Sequence, residues 1–130
     1  MDKKDVKKEA KYYFLPFLLG NNPTAHKLSK KIYKKHKIVC YILDKKRTYA
    51  DIFDFSSRFL SISISDYDSI TVSQLIYLAE QCPTTLPILI PCSEEYAELI
   101  DKNREALEAI FVLSSMEEAL TNSPLSIIPR

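Results

Sequence analysis

The segment Leu86-Pro87-Ile88-Leu89-Ile90-Pro91-Cys92-Ser93-Glu94-Glu95-Tyr96 places Cys92, Ser93 and Glu94 between an apolar run and an acidic, helix-patterned stretch. A helix starting there presents unpaired backbone N–H groups, so an anion can bind and Ser93 can cap. The same helix dipole would favour a thiolate at Cys92. Ordinary structure accounts for these residues as well. A serine followed by acidic residues is a normal helix start, and Ser93-x-x-Tyr96 is not a capping box. Neither histidine is near Cys92 in sequence, so a buried structural thiol is the reading adopted. Gly20-Asn21-Asn22 follows an earlier apolar run and supplies two amide side chains, each both donor and acceptor. Asp44 ends a further run. In an open α/β sheet these three strand ends share one edge, where ligands bind. The candidate substrate-binding residues are therefore Gly20, Asn21, Asn22, Cys92, Ser93 and Glu94. No residue is assigned a catalytic or metal-binding role.

The remaining polar residues give less. His26 and His36 fall on one predicted helix and read as surface residues or a helix-end cation. Asp51, Asp54, Asp66 and Asp68 match neither an EF-hand nor an acid–base carboxylate pair, and read as solvated turn residues. The chain has a single glycine. That excludes the three-glycine dinucleotide fingerprint and the phosphate-cradling P-loop.

Hydrophobic periodicity supplies the elements that position these residues. Tyr12 to Leu19 predicts a first strand, with Pro16 removing one ladder donor. Asn22 or Thr24 can cap a helix that runs to about His36, with Ala25, Leu28, Ile32 and Tyr33 inward and lysines outward. Ile38 to Leu43 predicts a second strand, Lys45 to Ser57 a polar loop, and Phe59 to Ile64 a third strand. A helix capped by Ser69 or Thr71 runs to about Gln81. The fourth strand then leads into a helix that breaks near Asp101-Lys102-Asn103 and resumes as Arg104 to Glu108. Ala109 to Leu113 predicts a fifth strand, and Met116 to Leu120 a last short helix. The alternation predicts an α/β, Rossmann-like three-layer domain with a mainly parallel sheet of about five strands. Its expected extent is residues 12–121, between a charged lead-in at 1–11 and a tail at 122–130.

At 130 residues and 46% hydrophobic, the chain suits one folded domain. No apolar run approaches the ~20 residues of a membrane span. The three cysteines are odd in number and lack CxxC spacing, which argues against a disulfide framework or zinc site and for a cytoplasmic protein. Charge is sharply divided. Residues 1–65 carry 15 Lys and Arg against 6 Asp and Glu, whereas residues 66–130 carry 3 against 11. Two solvated faces of opposite sign, able to attract a partner or another copy, explain this better than nucleic-acid binding, because lysine dominates without an aromatic or arginine pattern.

Phe14-Leu15-Pro16-Phe17-Leu18-Leu19-Gly20, then an amphipathic helix, then His36 to Leu43, resembles the start of ATP-grasp carboxylate–amine ligases. That family often reads roughly P-x-L-L-G-G-D before the first helix and Y-G-I-x-S after it. Leu89 to Ile100 is similar to the family's L-I-P-C-G-D-x-Y-x-x-L-L. Asp54-Phe55, Asp101 to Leu107 and Phe111-Val112 continue the likeness, which covers about residues 13–120. It implies the N-terminal pre-ATP-grasp domain, a Rossmann-like unit that is not catalytic alone and contributes substrate-side or interdomain surface. The nucleotide lysines and magnesium carboxylates of the family have no counterpart here, so ATP and magnesium are implied only for a full-length ligase. Asn21-Asn22 and Ser93-Glu94 stand where the family has glycine–acid pairs. The chain is expected to be either a ligase domain lacking its ATP-grasp portion, with that domain as partner, or a standalone module that binds a protein or small ligand.

Overall fold

The computed structural model describes residues 13–62, 68–82 and 85–115. Among these residues five strands are formed: β1 (Tyr13–Leu19), β2 (Cys40–Asp44), β3 (Ser57–Ser61), β4 (Thr85–Pro91) and β5 (Val112–Leu113). They make one sheet in the order β3-β2-β1-β4-β5, with every neighbouring pair parallel. The intervening helices are α1 (Pro23–His36), α2 (Tyr49–Phe53), α3 (Asp68–Glu80), α4 (Glu94–Lys102) and α5 (Arg104–Glu108). This is the Rossmann-like three-layer arrangement the alternation predicts.

Strand alternation sorts the core into two layers. Leu18, Ile42, Ile88 and Ile90 face Ala25, Leu28 and Ile32 of α1. Phe17, Leu19, Leu43 and Leu89 face α3, α4 and α5 through Leu75, Leu99 and Leu107. The right-handed crossover rule gives the same division, because β1 to β3 grow in one direction and β4 and β5 in the other. Pro16 is tolerated in the central strand because pairing with β2 starts only at Phe17.

Asn22 caps α1, its side chain accepting from the Ala25 N–H, and Pro23 follows at the first helical position. Lys37 ends α1 in the left-handed region at φ 60°, its N–H bonded to the Tyr33 carbonyl. Lys34, Lys35 and His36 occupy the last turn and complement the dipole. The break at Asn103 is where expected. Its side chain donates to the Leu99 carbonyl at 2.9 Å.

Several boundaries differ from the periodicity. The segment read as a loop contains α2, because the Asp51 carboxylate accepts from the Thr48 N–H at 2.7 Å and fixes a helical turn. β3 starts at Ser57, since Cys40 to Asp44 pair in register with Ser57 to Ser61 whatever their side chains. α3 starts at Asp68, so Ser69 and Thr71 lie inside it rather than capping it, and Thr71 is wholly buried. β5 is only Val112–Leu113, because Ala109 closes α5 in helical geometry. The lead-in 1–11, Asp66, the Met116–Leu120 helix and the tail 122–130 lie outside the described residues. Among the described residues, no helix is long and apolar enough to cross a membrane.

Candidate functional site

Because the strand order reverses between β1 and β4, their C-terminal ends flank the switch point. Gly20 and Cys92 meet there. Gly20 adopts φ +118°, and a β-carbon added to it would sit 3.4 Å from Cβ of Cys92. The Gly20 N–H donates to the Leu43 carbonyl at 2.9 Å, and the Cys92 N–H to the Leu19 carbonyl at 2.7 Å. The Asn22 side chain spans the switch, accepting from Ala25 N–H and donating through Nδ2 to the Cys92 carbonyl at 2.9 Å. The crevice is thus bridged by the chain's own groups. Ser93 is half-buried and caps α4, accepting from the Tyr96 N–H at 3.3 Å, while Glu94 is exposed in the first turn.

Asn21 turns away from this cluster into a second one. Its N–H donates to Oδ2 of Asp44 at 2.8 Å. Its Nδ2 donates to Oδ2 of Asp51 at 2.8 Å and to the Lys46 carbonyl at 3.2 Å. Oδ1 of Asp44 accepts from Lys45 N–H at 2.7 Å and from the Tyr96 hydroxyl at 3.0 Å, tying β2 to α4. Burial pushes the Tyr96 phenol well above its ordinary range, and the charge of Asp44 adds to the effect.

His26 is the centre of this second cluster, and the surface reading of it is corrected: it is 5% exposed. Its Nδ1 lies 2.5 Å from Oδ2 of Asp54. Its Nε2 lies 2.9 Å from Oδ1 of Asn21 and 3.1 Å from Oδ1 of Asp51. Asp54 is likewise 5% exposed rather than a solvated turn residue. It accepts from the Ser29 hydroxyl at 3.1 Å, the Ser56 N–H at 2.8 Å, the Ser57 hydroxyl at 3.0 Å and the Ser56 hydroxyl. Burial alone would raise its pKa. The bonds from Ser56, His26 and Ser57 outweigh that and hold the carboxyl well below the usual carboxylate range. The Asp51 side chain is also buried, and its Oδ1, 3.1 Å from Nε2 of His26, makes no hydrogen bond among the described residues. His26 and Ser29 lie one turn apart on α1, on the flank that meets α2. The apolar periodicity marks Ala25, Leu28, Ile32 and Tyr33, of which Tyr33 is exposed, and gives no sign that a histidine and a serine complete the inner face.

The two buried thiols have little nucleophilic character. Burial raises Cys92 to about 12. Burial, then the nearby Asp54 charge, raises Cys40 to about 12. The six sequence candidates therefore divide: Gly20, Asn22, Cys92 and Ser93 meet at the switch point, Asn21 joins the His26 network, and Glu94 faces solvent. Among the described residues, no group of three or more His, Cys, Asp or Glu side chains is arranged to hold a metal ion. No protein-family model, curated protein or solved structure matches this chain.

Proposed function

We propose that this chain is a binding module that performs no chemistry alone, a pre-ATP-grasp-like domain contributing substrate-side or interdomain surface to a carboxylate–amine ligase. The supporting observation is the bridged switch point. The two turns that carry the resemblance, at Gly20-Asn21-Asn22 and Pro91-Cys92-Ser93, lie side by side, and Asn22 links them at 2.9 Å. Groups committed to one another in this way make a rigid edge, and a rigid edge suits a surface on which another domain completes a site. ATP and magnesium would come with that other domain, which would activate a carboxylate for attack by an amine.

The test is ADP release from ATP and Mg²⁺ with a panel of amino acids. The purified chain is assayed alone and together with any ATP-grasp polypeptide encoded after or beside it. ADP is expected only from the combination. ADP from the chain alone overturns the non-catalytic reading, and a combination that neither co-elutes nor releases ADP overturns the ligase reading. A standalone binding module is the second reading. It is favoured by large exposed apolar side chains, Ile52, Phe53 and Phe55, which are 60%, 73% and 89% exposed.

A further inference from the structure

The two helical layers carry opposite charge. Residues 13–62 hold ten cations, six on α1 and its cap, three at 45–47, and Arg58, and every one is exposed. The carboxylates of the same span are Asp44, Asp51 and Asp54, and all three are engaged by the internal bonds described above. Arg58 shares the sheet face of Tyr41 and Leu60, toward α3–α5. The α1–α2 side, with the six cations of α1 and its cap, shows no fully exposed carboxylate among the described residues. On the opposite side of the sheet, α4 and α5 expose Glu94, Glu95, Glu98, Asp101, Glu105 and Glu108 against Lys102 and Arg104. Arg104 is itself paired with Asp101 at 3.0 Å and with Glu108 at 3.5 Å.

Each layer also offers a complementary apolar feature. On the basic side Phe53 and Phe55 flank Asp54, which is bonded to α1, and both rings stand in solvent. On the acidic side an open groove of about 260 Å³ runs between the end of β3 and α3, lined by Ile62, Tyr77 and Leu78 with Ser61, Ser73 and Gln74. That is roomier than the ~150 Å³ cavity that accommodates benzene.

We propose that the basic α1–α2 layer of one copy seats on the acidic α3–α5 layer of a second copy, with the ring of Phe55 entering the groove beside Tyr77. A nucleic acid or an acidic peptide would match the first layer and leave the second unused. A second copy matches both layers in charge and brings an exposed ring for the groove. The contact joins two different patches, so it is heterologous, and repetition gives a ring or an open chain rather than an isologous dimer. The attraction between the layers is screened by salt, since the Debye length falls from ~30 Å at 0.01 M to ~3 Å at 1 M. This proposal does not depend on the ligase reading: reconstituted ADP release can fail while self-association holds, and the reverse.

Sedimentation velocity of the purified chain at low and high salt tests it. Mass is expected to rise above the monomer with concentration at low salt and to return to the monomer at high salt. Phe55→Ser, Lys30→Glu with Lys34→Glu, and Glu98→Lys with Glu105→Lys each alter exposed positions and are expected to weaken association about tenfold. Mixing the two charge-reversed variants is expected to restore it. A monomer under every condition overturns the proposal, as does self-association that ignores all three changes. Salt-sensitive binding of an oligothymidine or polyglutamate probe by a chain that stays monomeric would assign the basic layer to another polyanion and also overturn it.

Discussion

Asp54 couples the stability of the fold to protons. Its folded carboxyl is more acidic than the ordinary value of 3.8, because Ser56, His26 and Ser57 hydrogen-bond the charged form. The sign follows from linkage: a depressed folded pKa contributes stability that is complete above the unfolded value and is lost as pH falls toward the folded one. Urea unfolding is expected to show stability declining as pH drops below about 4, and Asp54→Asn is expected to flatten that decline. The cysteines give a second expectation. Cys40 and Cys92 are buried, whereas Cys82 is partly exposed. A disulfide reagent at mildly alkaline pH should modify one thiol rapidly in the native protein and all three in denaturant. Had a surface-type thiolate existed at Cys92, two would react. Sequence alone suggests burial for Cys92, from its place after an apolar run. It does not reveal His26, whose neighbours Lys27 and Lys30 make that flank of α1 look solvated, nor Asp54, whose partners are serines that leave no hydrophobic trace.

Each element is held by features that can be changed singly. The left-handed residue closing α1 is a lysine, although glycine adopts φ 60° without a Cβ penalty. Lys37→Gly should stabilise the fold by about 0.5–1 kcal/mol, less whatever the Lys37 ammonium contributes 5.6 Å above the Tyr33 ring. A drop in the urea midpoint would count against this assignment. The Tyr96 hydroxyl is the bond joining α4 to β2. Tyr96→Phe should cost about 1.5–3 kcal/mol in unfolding free energy, the range for a hydrogen bond to a charged group. The types of the elements are readable because apolar spacing survives in almost any α/β domain. Their ends are not: β3 begins at Ser57 because β2 offers Cys40 as its mate, a backbone reason with no side-chain signature. α2 escapes notice for a similar reason, since five residues are too few to display a period.

At the scale of the whole molecule, chain order has become spatial order. The basic first half builds β1, β2 and β3 with the helices of one layer, and the acidic second half builds the helices of the other, so a sequence asymmetry becomes a polarity across the sheet. The division of charge is visible in the sequence, but its direction through the fold requires the crossover rule. The switch-point pairing has a further consequence, for synthesis. β1 lies between β2 and β4, and its full-length partner is the later one: Tyr13 to Leu19 run beside Thr85 to Pro91, whereas β2 meets only Phe17 to Leu19. A nascent chain therefore emerges with its central strand half unpaired, and must hold it so until β4 has left the ribosome and a long loop can close. A chain ending before Thr85 should give neither dispersed amide resonances nor a cooperative thermal transition, and restoring residues through Ile100 should bring back both. The same interval exposes one edge of β1 to other chains, which makes translation a stage at which this protein is open to aggregation.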